Sequence, residues 1–176
     1  MSMMSIRAAT PRDRDAIRLV EEHAFGQQAE AGLVDALVTG GDAVVELVAE
    51  EDGQVVGHIL FSRLFVQNGA KQFAAVALAP LAVEPSFHGT GIGGALIREA
   101  HVRLKEAGER LAVVLGDPAY YGRFGYSNRR VAQFESDYQS PYLMGLSFGA
   151  APWEGRLVYP PAFATLAEHA SLQAHD

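Results

Sequence analysis

The sequence predicts an α/β (α+β) fold in which a central β-sheet carries helices on both faces. Stretches with helical spacing of apolar residues and stretches of strand-like composition follow one another along the whole chain, which is typical of such layered folds. The chain has 176 residues, of which 49% are hydrophobic, enough for a sizeable buried core. No internal repeat, low-complexity tract or linker rich in Pro, Gly and Ser divides it. We therefore expect one globular domain over residues 1–176.

The N-terminal quarter predicts one strand followed by two helices. Residues 6–9 form a short β-rich run. Thr10 then has the features of an N-cap, with a proline at the first helical position and Asp13 completing a capping box. The apolar face that follows ends at Gly26, and a second, shorter helix is predicted over residues 29–38.

The middle of the chain predicts a hairpin and a buried strand. In AVVELVAEEDGQVVGHILFSRLFV, two β-rich runs flank Asp52-Gly53, a dipeptide favoured where two turn residues need positive φ. Residues 73–83 are long and apolar enough to form a strand buried on both faces. Pro80 lies inside this run and cannot donate a ladder hydrogen bond. The strand should therefore bulge or part from its neighbour near that point.

The second half predicts one long helix, one short helix and several short strands. Apolar residues repeat every fourth position from Ile92 until Gly108 ends the pattern. Residues 110–115 then form a buried strand. Asp117 as N-cap, a proline after it and Gly125 as terminator bound a helix of barely two turns. Further strand-like pieces, interrupted by prolines, follow at residues 133–138, 144–148 and 156–159.

Composition and charge exclude several classes of function. The formal net charge is −7 and basic residues are scattered, so the electrostatic footprint of a nucleic-acid-binding protein is missing. The chain has no cysteine, which excludes disulfides, thiolate ligands and a cysteine nucleophile. Its six histidines lack metal-binding spacing, so no metal site is expected. Without an apolar run of about 20 residues or a signal-peptide layout, we expect a cytoplasmic monomer or homodimer that does not contact membranes.

The stretch FHGTGIGGALI places four glycines within six positions directly before the long helix. Such a turn forms an anion site, because backbone N–H groups and the positive end of the helix dipole converge there. A nucleoside-triphosphate P-loop is excluded, since no Gly-Lys-Ser/Thr follows. A dinucleotide-binding turn stays open, because residues 89–94 match Gly-x-Gly-x-x-Gly, although five residues separate the strand from Gly89. A purely structural tight turn is the third possibility.

A wider stretch, LAVEPSFHGTGIGGALI, resembles the acetyl-CoA loop of the GNAT N-acetyltransferase superfamily. That loop has the pattern Arg/Gln-x-x-Gly-x-Gly/Ala after a strand that ends in Val-x-Pro. His88 stands where Arg or Gln is usual. Downstream, GDPAYYGRFGY is similar to a segment typical of the YhbS-like branch, and the resemblance covers nearly the whole chain. Two linked motifs in the right order are far more specific than one glycine loop. The residues that match the loop pattern are Val83, Pro85, Gly91 and Gly93.

The resemblance implies a GNAT fold, with a mixed, mostly antiparallel sheet of six to seven strands, about four helices on its two faces, and splayed central strands. It also implies acetyl-CoA as the acyl donor. The backbone at the end of the long strand would hold the pantetheine arm and the acetyl carbonyl, and the glycine loop would hold the pyrophosphate. The cofactor-binding residues implied are Leu81, Ala82, Val83, His88, Gly89, Thr90, Gly91, Ile92, Gly93, Gly94 and Asp117.

Tyr121 matches the family tyrosine that stands near the cofactor sulfur and acts as general acid. A phenol with a pKa near ~10 suits proton donation to a thiolate of similar basicity. Tyr120 lies about 100° away around the short helix, so one ring is expected to face the core and the other the cleft. The alternative is that both rings serve packing. For Asp117 we expect capping to be the first role.

The general base is not apparent in the sequence. Glu84, His58, a residue of the irregular tail and an ordered water chain all stay open. Glu84 beside a proline is typical of a solvated loop, and His58 on an apolar strand is typical of a hydrogen-bonded core histidine. In the family, substrate contacts come from the loop between the first two helices and from the last strands. The substrate-binding residues implied here are Phe25, Glu30, Glu84 and Trp153.

The sequence therefore predicts an acetyl-CoA-dependent N-acetyltransferase. Direct transfer to a primary amine of a small molecule or peptide is expected, since no nucleophile is apparent. The alternative is a module of GNAT fold that binds acetyl-CoA as a sensor or scaffold without turnover. Only the enzyme would release CoA when an amine is added.

Overall fold

The computed structural model describes residues 3–166 and 173–174, which contain nine strands and five α-helices. The strands are β1 (Met4–Ala8), β2 (Ala43–Glu51), β3 (Gln54–Asn68), β4 (Lys71–Val83), β5 (Leu111–Leu115), β6 (Phe134–Glu135), β7 (Leu143–Ser147), β8 (Gly155–Val158) and β9 (Gln173–Ala174). The helices are α1 (Arg14–Phe25), α2 (Ala29–Thr39), α3 (Ile92–Glu106), α4 (Pro118–Tyr121) and α5 (Phe163–Leu166).

The strands form one mixed sheet whose main path has the order β1-β2-β3-β4-β5-β7. All neighbours on this path are antiparallel except β4 and β5, which are parallel. β8 pairs with the far end of β3 and with β6, and β9 pairs with β4. The predicted mixed, mostly antiparallel sheet is confirmed. The sheet has nine strands instead of the six to seven predicted, because β6, β8 and β9 lie outside the main path.

Helices cover both faces of the sheet, as predicted. On one face, α1 and α2 pack against a cluster that includes Val48 and Leu60. On the other face, α3 packs against Leu47, Ile59 and other strand residues whose side chains point to that face. Because successive side chains of a strand point to opposite faces, each central strand contributes to both apolar layers. The parallel pair β4 and β5 is thereby buried in the centre.

The local elements agree with the sequence at the turns and caps. Asp52 and Gly53 have φ of 51° and 82°, which is the positive-φ turn predicted for the β2–β3 hairpin. The capping box is present, and the Asp13 carboxylate accepts a hydrogen bond from the Thr10 N–H at 2.7 Å. The first turn is a 3₁₀ helix, so α1 proper begins at Arg14. Of residues 133–138, only Phe134 and Glu135 form a strand, the short β6.

Candidate active site

β4 and β5 run side by side over only three residue pairs. Residues 76–78 of β4 pair with residues 112–114 of β5. β4 then continues to Val83, whereas β5 ends at Leu115. A cis bond precedes Pro80 just beyond the last pair, and β3 shows a register shift opposite it. The irregularity predicted at this proline is confirmed, and the two central strands part beyond Leu78.

The edge of β4 beyond the proline faces the space between the parted strands. Its other edge remains paired with β3 up to Val83. On the gap side, Leu81 and Ala82 pair with β9. The backbone groups that the resemblance assigns to the acyl donor are therefore not an open edge in this structure. A ligand bound along this edge would take the place of β9.

The four glycines form an open turn at the N-terminus of α3. Gly89 and Gly91 have φ of +79° and +85°, a region that side-chain-bearing residues rarely adopt. A Cβ built at either position would meet nothing within 4 Å, so the space in front of the turn is open. The first intrahelical bond runs from the Ala95 N–H to the Gly91 carbonyl at 3.1 Å. The three preceding amides thus have no intrahelical acceptor, and the turn fits a phosphate group.

Two side chains of the glycine loop turn inward and hold it in place. The His88 ring donates from Nε2 to the Val83 carbonyl at 2.8 Å. The Thr90 hydroxyl donates to the Phe87 carbonyl. The first bond ties the turn to the end of β4, and the second ties it to the connection that precedes it. The geometry therefore supports a shaping role for these two side chains, and it leaves phosphate contact to the backbone.

α4 carries the two tyrosines of the second motif. Asp117 caps this helix through Oδ1, which accepts a hydrogen bond from the Ala119 N–H at 2.9 Å, as predicted. The rings of Tyr120 and Tyr121 meet edge to face at 5.0 Å, and both are buried, at 7% and 0% exposure. The expectation that one ring faces an open cleft is wrong, because both pack into the apolar layer beneath α3.

The hydroxyl of Tyr121 is buried without a hydrogen-bond partner among the described residues. Its ring belongs to the same cluster as Leu78 and Val114, the last paired residues of β4 and β5. Burial, followed by the neighbouring Tyr120, Tyr126 and Asp117, raises the pKa of this phenol well above its ordinary value. The group is therefore a protonated donor at the point where the strands part. A buried, unpaired hydroxyl is costly, which makes Tyr121 a candidate for contact with a ligand.

Two arginines beside the glycine turn were not predicted from the sequence. The Arg98 guanidinium lies 5.1 Å from the centroid of the Phe124 ring and near Gly94. The Arg123 guanidinium stacks over the rings of Tyr120 and Phe124 at 4.7 and 5.4 Å. Together they place two cations next to the open turn. The available signals were the arginine inside GDPAYYGRFGY and the spacing of one helical turn from Gly94 to Arg98.

On the opposite face of the sheet, His58 of β3 joins two carboxylates. Its Nδ1 lies 2.7 Å from Glu21 Oε2 on α1, and its Nε2 lies 2.7 Å from Glu46 Oε2 on β2. Glu46 also accepts a hydrogen bond from Arg14. His58 and Glu21 are both completely buried. Charges therefore alternate along a chain of four side chains, which ends at Glu21.

The protonation of His58 follows from this arrangement. Burial alone would lower its pKa, but the hydrogen bonds to Glu21 and Glu46 outweigh burial and raise the pKa to about 9. At neutral pH the ring is therefore a cation whose two N–H groups both donate. The prediction of a hydrogen-bonded core histidine is confirmed. A cationic ring cannot accept a proton, so His58 is excluded as the general base at neutral pH.

Three of the predicted substrate-binding residues lie around the C-terminal end of α1. Phe25 is its last residue. Glu84 follows β4 directly and pairs with His23 of α1 at 2.7 Å from Nδ1. Glu30 is buried at the start of α2 and contributes to the raised pKa of Glu21. The structure thus brings these three residues to the same end of β4.

Trp153 lies elsewhere. Its ring is 59% exposed and is covered by the Arg130 guanidinium at 3.9 Å. Arg130 donates from Nε to the Ser147 hydroxyl at 2.6 Å, and Ser147 pairs with Leu111, the first residue of β5. The gap opens at the other end of β5, about 13 Å away at about 3.3 Å per residue. Trp153 is therefore not part of the site described here.

Residues 3–166 and 173–174 contain neither a cluster of metal ligands nor a helix able to span a membrane. No group of three or more His, Cys, Asp or Glu side chains is placed to hold a metal ion there. No helix in that part of the chain combines the length and apolar character needed to cross a membrane.

Comparison with known proteins assigns the family. Residues 5–129 match the acetyltransferase (GNAT) domain. The chain belongs to this GNAT family. The glycine turn is therefore part of a GNAT domain, and the dinucleotide-binding alternative is discarded.

Several relatives of this GNAT chain support the assignment. It is 40% identical over 124 residues to the uncharacterized N-acetyltransferase YhbS of Escherichia coli K12, covering 70% of this chain and 73% of that protein. A GNAT acetyltransferase from Brucella melitensis, solved with acetyl-CoA, is 40% identical, with a TM-score of 0.78 and coverage of 92% and 98%. E. coli YhbS solved with CoA is 29% identical, with a TM-score of 0.83 and coverage of 99% and 97%.

Proposed function

We propose that this protein is an N-acetyltransferase that moves an acetyl group from acetyl-CoA directly to a primary amine of a small molecule or peptide. We further propose that it acts as a single domain in the cytoplasm. The observation that carries the proposal is the position of the open glycine turn, which is separated by five residues from the end of β4, where that strand has parted from β5. Family membership and the relatives solved with acetyl-CoA and CoA support it.

The proposed binding mode of acetyl-CoA follows the geometry of the gap. The amides at the start of α3 and in the turn of residues 89–94 would hold the pyrophosphate. Arg98 and Arg123 would add positive charge for its phosphates. The backbone of residues 81–83 would hold the pantetheine arm and the thioester, in the place of β9. Asp117 would then act on the site only by fixing α4.

The proposed reaction is attack of the neutral amine nitrogen on the thioester carbon. The C–N bond forms, the C–S bond breaks, and the departing thiolate needs a proton. Tyr121 would supply that proton, since its buried hydroxyl has no other acceptor among the described residues. The burial that raises the pKa of the phenol would also raise the basicity of a thiolate beside it. The pKa values of the phenol donor and the thiol product therefore remain similar.

The first test is CoA release from acetyl-CoA in the presence of amines. Because the chain has no cysteine, a thiol reagent detects only the CoA that is formed. We expect release that depends on an added amine from a panel of polyamines, amino acids, aminoglycosides and lysine peptides. Tight acetyl-CoA binding without release for any of them would overturn the enzyme proposal in favour of a sensor or scaffold.

The glycine turn provides a second prediction. Gly91→Ala should raise the dissociation constant for acetyl-CoA at least tenfold, measured by calorimetry. The added Cβ would enter the open space in front of the turn, and the positive φ of 85° would strain the backbone by roughly 1–2 kcal/mol.

Gly108→Ala is the matched control for Gly91→Ala. Gly108 follows the other end of α3, has a φ of +83°, and also has nothing within 4 Å of a built Cβ. Both variants should therefore lose a similar free energy of unfolding, while Gly108→Ala keeps its affinity for acetyl-CoA. Equal affinities in the two variants would contradict the phosphate role of the turn.

A further inference from the structure

Helix α1 carries a buried carboxylate, Glu21, that has no role in the proposed reaction described above. Glu21 of α1 is completely buried, and its Oε1 has no hydrogen-bond partner among the described residues. Its Oε2 lies 2.7 Å from His58 Nδ1. An ionic oxygen buried without a partner is costly, so a proton or a cationic ligand is needed to complete it.

The position of Glu21 relative to β4 follows from the register of the sheet. His58 is the direct cross-strand partner of Ala82. Opposite residues of an antiparallel pair point to the same face, with Cβ atoms about 5 Å apart. The ring of His58 and the methyl group of Ala82 therefore both face α1, which packs against β3, β4 and β9. Glu21 thus lies over the stretch of β4 proposed to hold the thioester.

Tyr121 lies on the opposite face of the sheet, in the apolar layer beneath α3. The sheet lies between it and α1, so an acid and a carboxylate lie on opposite faces of the sheet near the same stretch of β4. This is the arrangement that acyl transfer needs, because the sulfur leaves the acyl carbon in one direction and the amine approaches from another.

Resting on the proposed function, we propose that Glu21 is the general base, which takes a proton from the acceptor ammonium, and that His58, Glu46 and Arg14 are positioning residues. The nitrogen loses two protons overall. Glu21 takes the first and passes it to solvent after turnover. The second leaves the nitrogen as the C–N bond forms and, carried by solvent, restores the proton that Tyr121 has given to the departing sulfur.

The surrounding charges suit this role. Burial raises the pKa of Glu21, and the hydrogen bond from His58 offsets this only in part. Glu30 and Glu46 act in the same direction as burial. A carboxylate of raised pKa is a better proton acceptor from an amine than an ordinary one. The cationic His58, held from its other side by Glu46, fixes which oxygen of Glu21 stays available.

The test is Glu21→Gln, assayed by CoA release with a series of acceptor amines of graded pKa at pH 7. We expect kcat to fall about 10²- to 10³-fold for amines that are protonated at this pH, since general-base catalysis contributes about this much. The defect should shrink as the amine pKa falls towards 7, because such amines are already neutral. Acetyl-CoA affinity should be unchanged.

Glu22→Gln is the matched control, with the same chemical change at the next position of α1, outside the network; it should retain wild-type kcat. Glu21→Asp keeps a carboxylate, so it should retain the wild-type dependence on amine pKa at a lower rate. This variant also tests the inference if Glu21→Gln does not fold. A Glu21→Gln kcat within threefold of Glu22→Gln, or an equal defect for all amines, would overturn this inference. No CoA release by the wild-type protein would instead overturn the proposed function, and this inference with it.

Discussion

Replacing Tyr121 by phenylalanine is expected to lower kcat for amine acetylation about 10²- to 10³-fold while the affinity for acetyl-CoA stays unchanged. The variant removes one oxygen and keeps the ring that packs at 5.0 Å against Tyr120. Because the hydroxyl has no hydrogen-bond partner among the described residues, its loss should not lower the free energy of unfolding. The whole effect should therefore fall on proton donation to the thiolate, whose contribution is of this order.

Tyr126→Phe is the matched control for this prediction. Tyr126 is also buried, and its ring lies 5.9 Å from that of Tyr121. Its hydroxyl is hydrogen-bonded to His101 Nε2 at 2.9 Å, so this variant should lose about 1 kcal/mol of stability. Its kcat should remain that of the wild type. If Tyr121→Phe keeps a kcat within threefold of the wild type, Tyr121 is not the acid, and Tyr120 and Tyr121 both serve packing.

The largest expected effect on stability concerns His58. His58→Gln should lower the free energy of unfolding at pH 6 by about 3–5 kcal/mol, because it removes the cation between two carboxylates. Glu21 would then be buried with no cation beside it, whereas Glu46 would keep Arg14. Urea denaturation at fixed pH measures this difference.

The same histidine predicts the pH dependence of wild-type stability. The pKa of His58 is about 9 in the folded protein and about 6.5 unfolded. A raised pKa stabilises the fold fully below about pH 6.5, and this contribution is lost as the pH rises through 9. The free energy of unfolding should therefore fall by about 3 kcal/mol over this window. The groups that face the ring are Glu21, Glu46 and, through Glu46, Arg14.

The control for both measurements is His101→Gln. His101 is also buried, but burial and Lys105 lower its pKa to about 4, so it is neutral across the window. This variant should keep the wild-type slope between pH 6.5 and 9, whereas His58→Gln should be flat there. A wild-type protein whose stability does not change over this range would contradict the cationic state of His58.

Local signals in the sequence predicted most of the fold. The Asp52-Gly53 turn, the Thr10 capping box and the Asp117 cap were all readable, because each depends on residues within a few positions of one another. Pro80 was readable as a strand irregularity for the same reason, since a missing donor acts locally. The glycine turn and the following tyrosines identified the family through two linked motifs.

Contacts between distant segments were not readable. Glu46 and His58 lie on the two strands of the β2–β3 hairpin, but Glu21 belongs to α1 and had an ordinary place in a helical pattern. Only the packing of α1 on β3 brings Glu21 to the other two, and burial then sets their protonation. Likewise, the burial of both tyrosine rings depends on the layer beneath α3. Trp153 shows the converse, since an aromatic residue of the tail folds onto Arg130 away from the gap.

The sequence by itself determined the elements, the family and the open glycine turn, because turn chemistry, caps and hydrophobic periodicity act over a few neighbouring residues. The tertiary structure alone decided which ionisable groups are buried on either face of the sheet near β4 and in which charge state. The physical reason is that a pKa depends on burial and on charges a few ångströms away in space, wherever they lie along the chain. The proposed acid, Tyr121, was therefore readable from a motif, whereas the proposed base, Glu21, required the packed sheet.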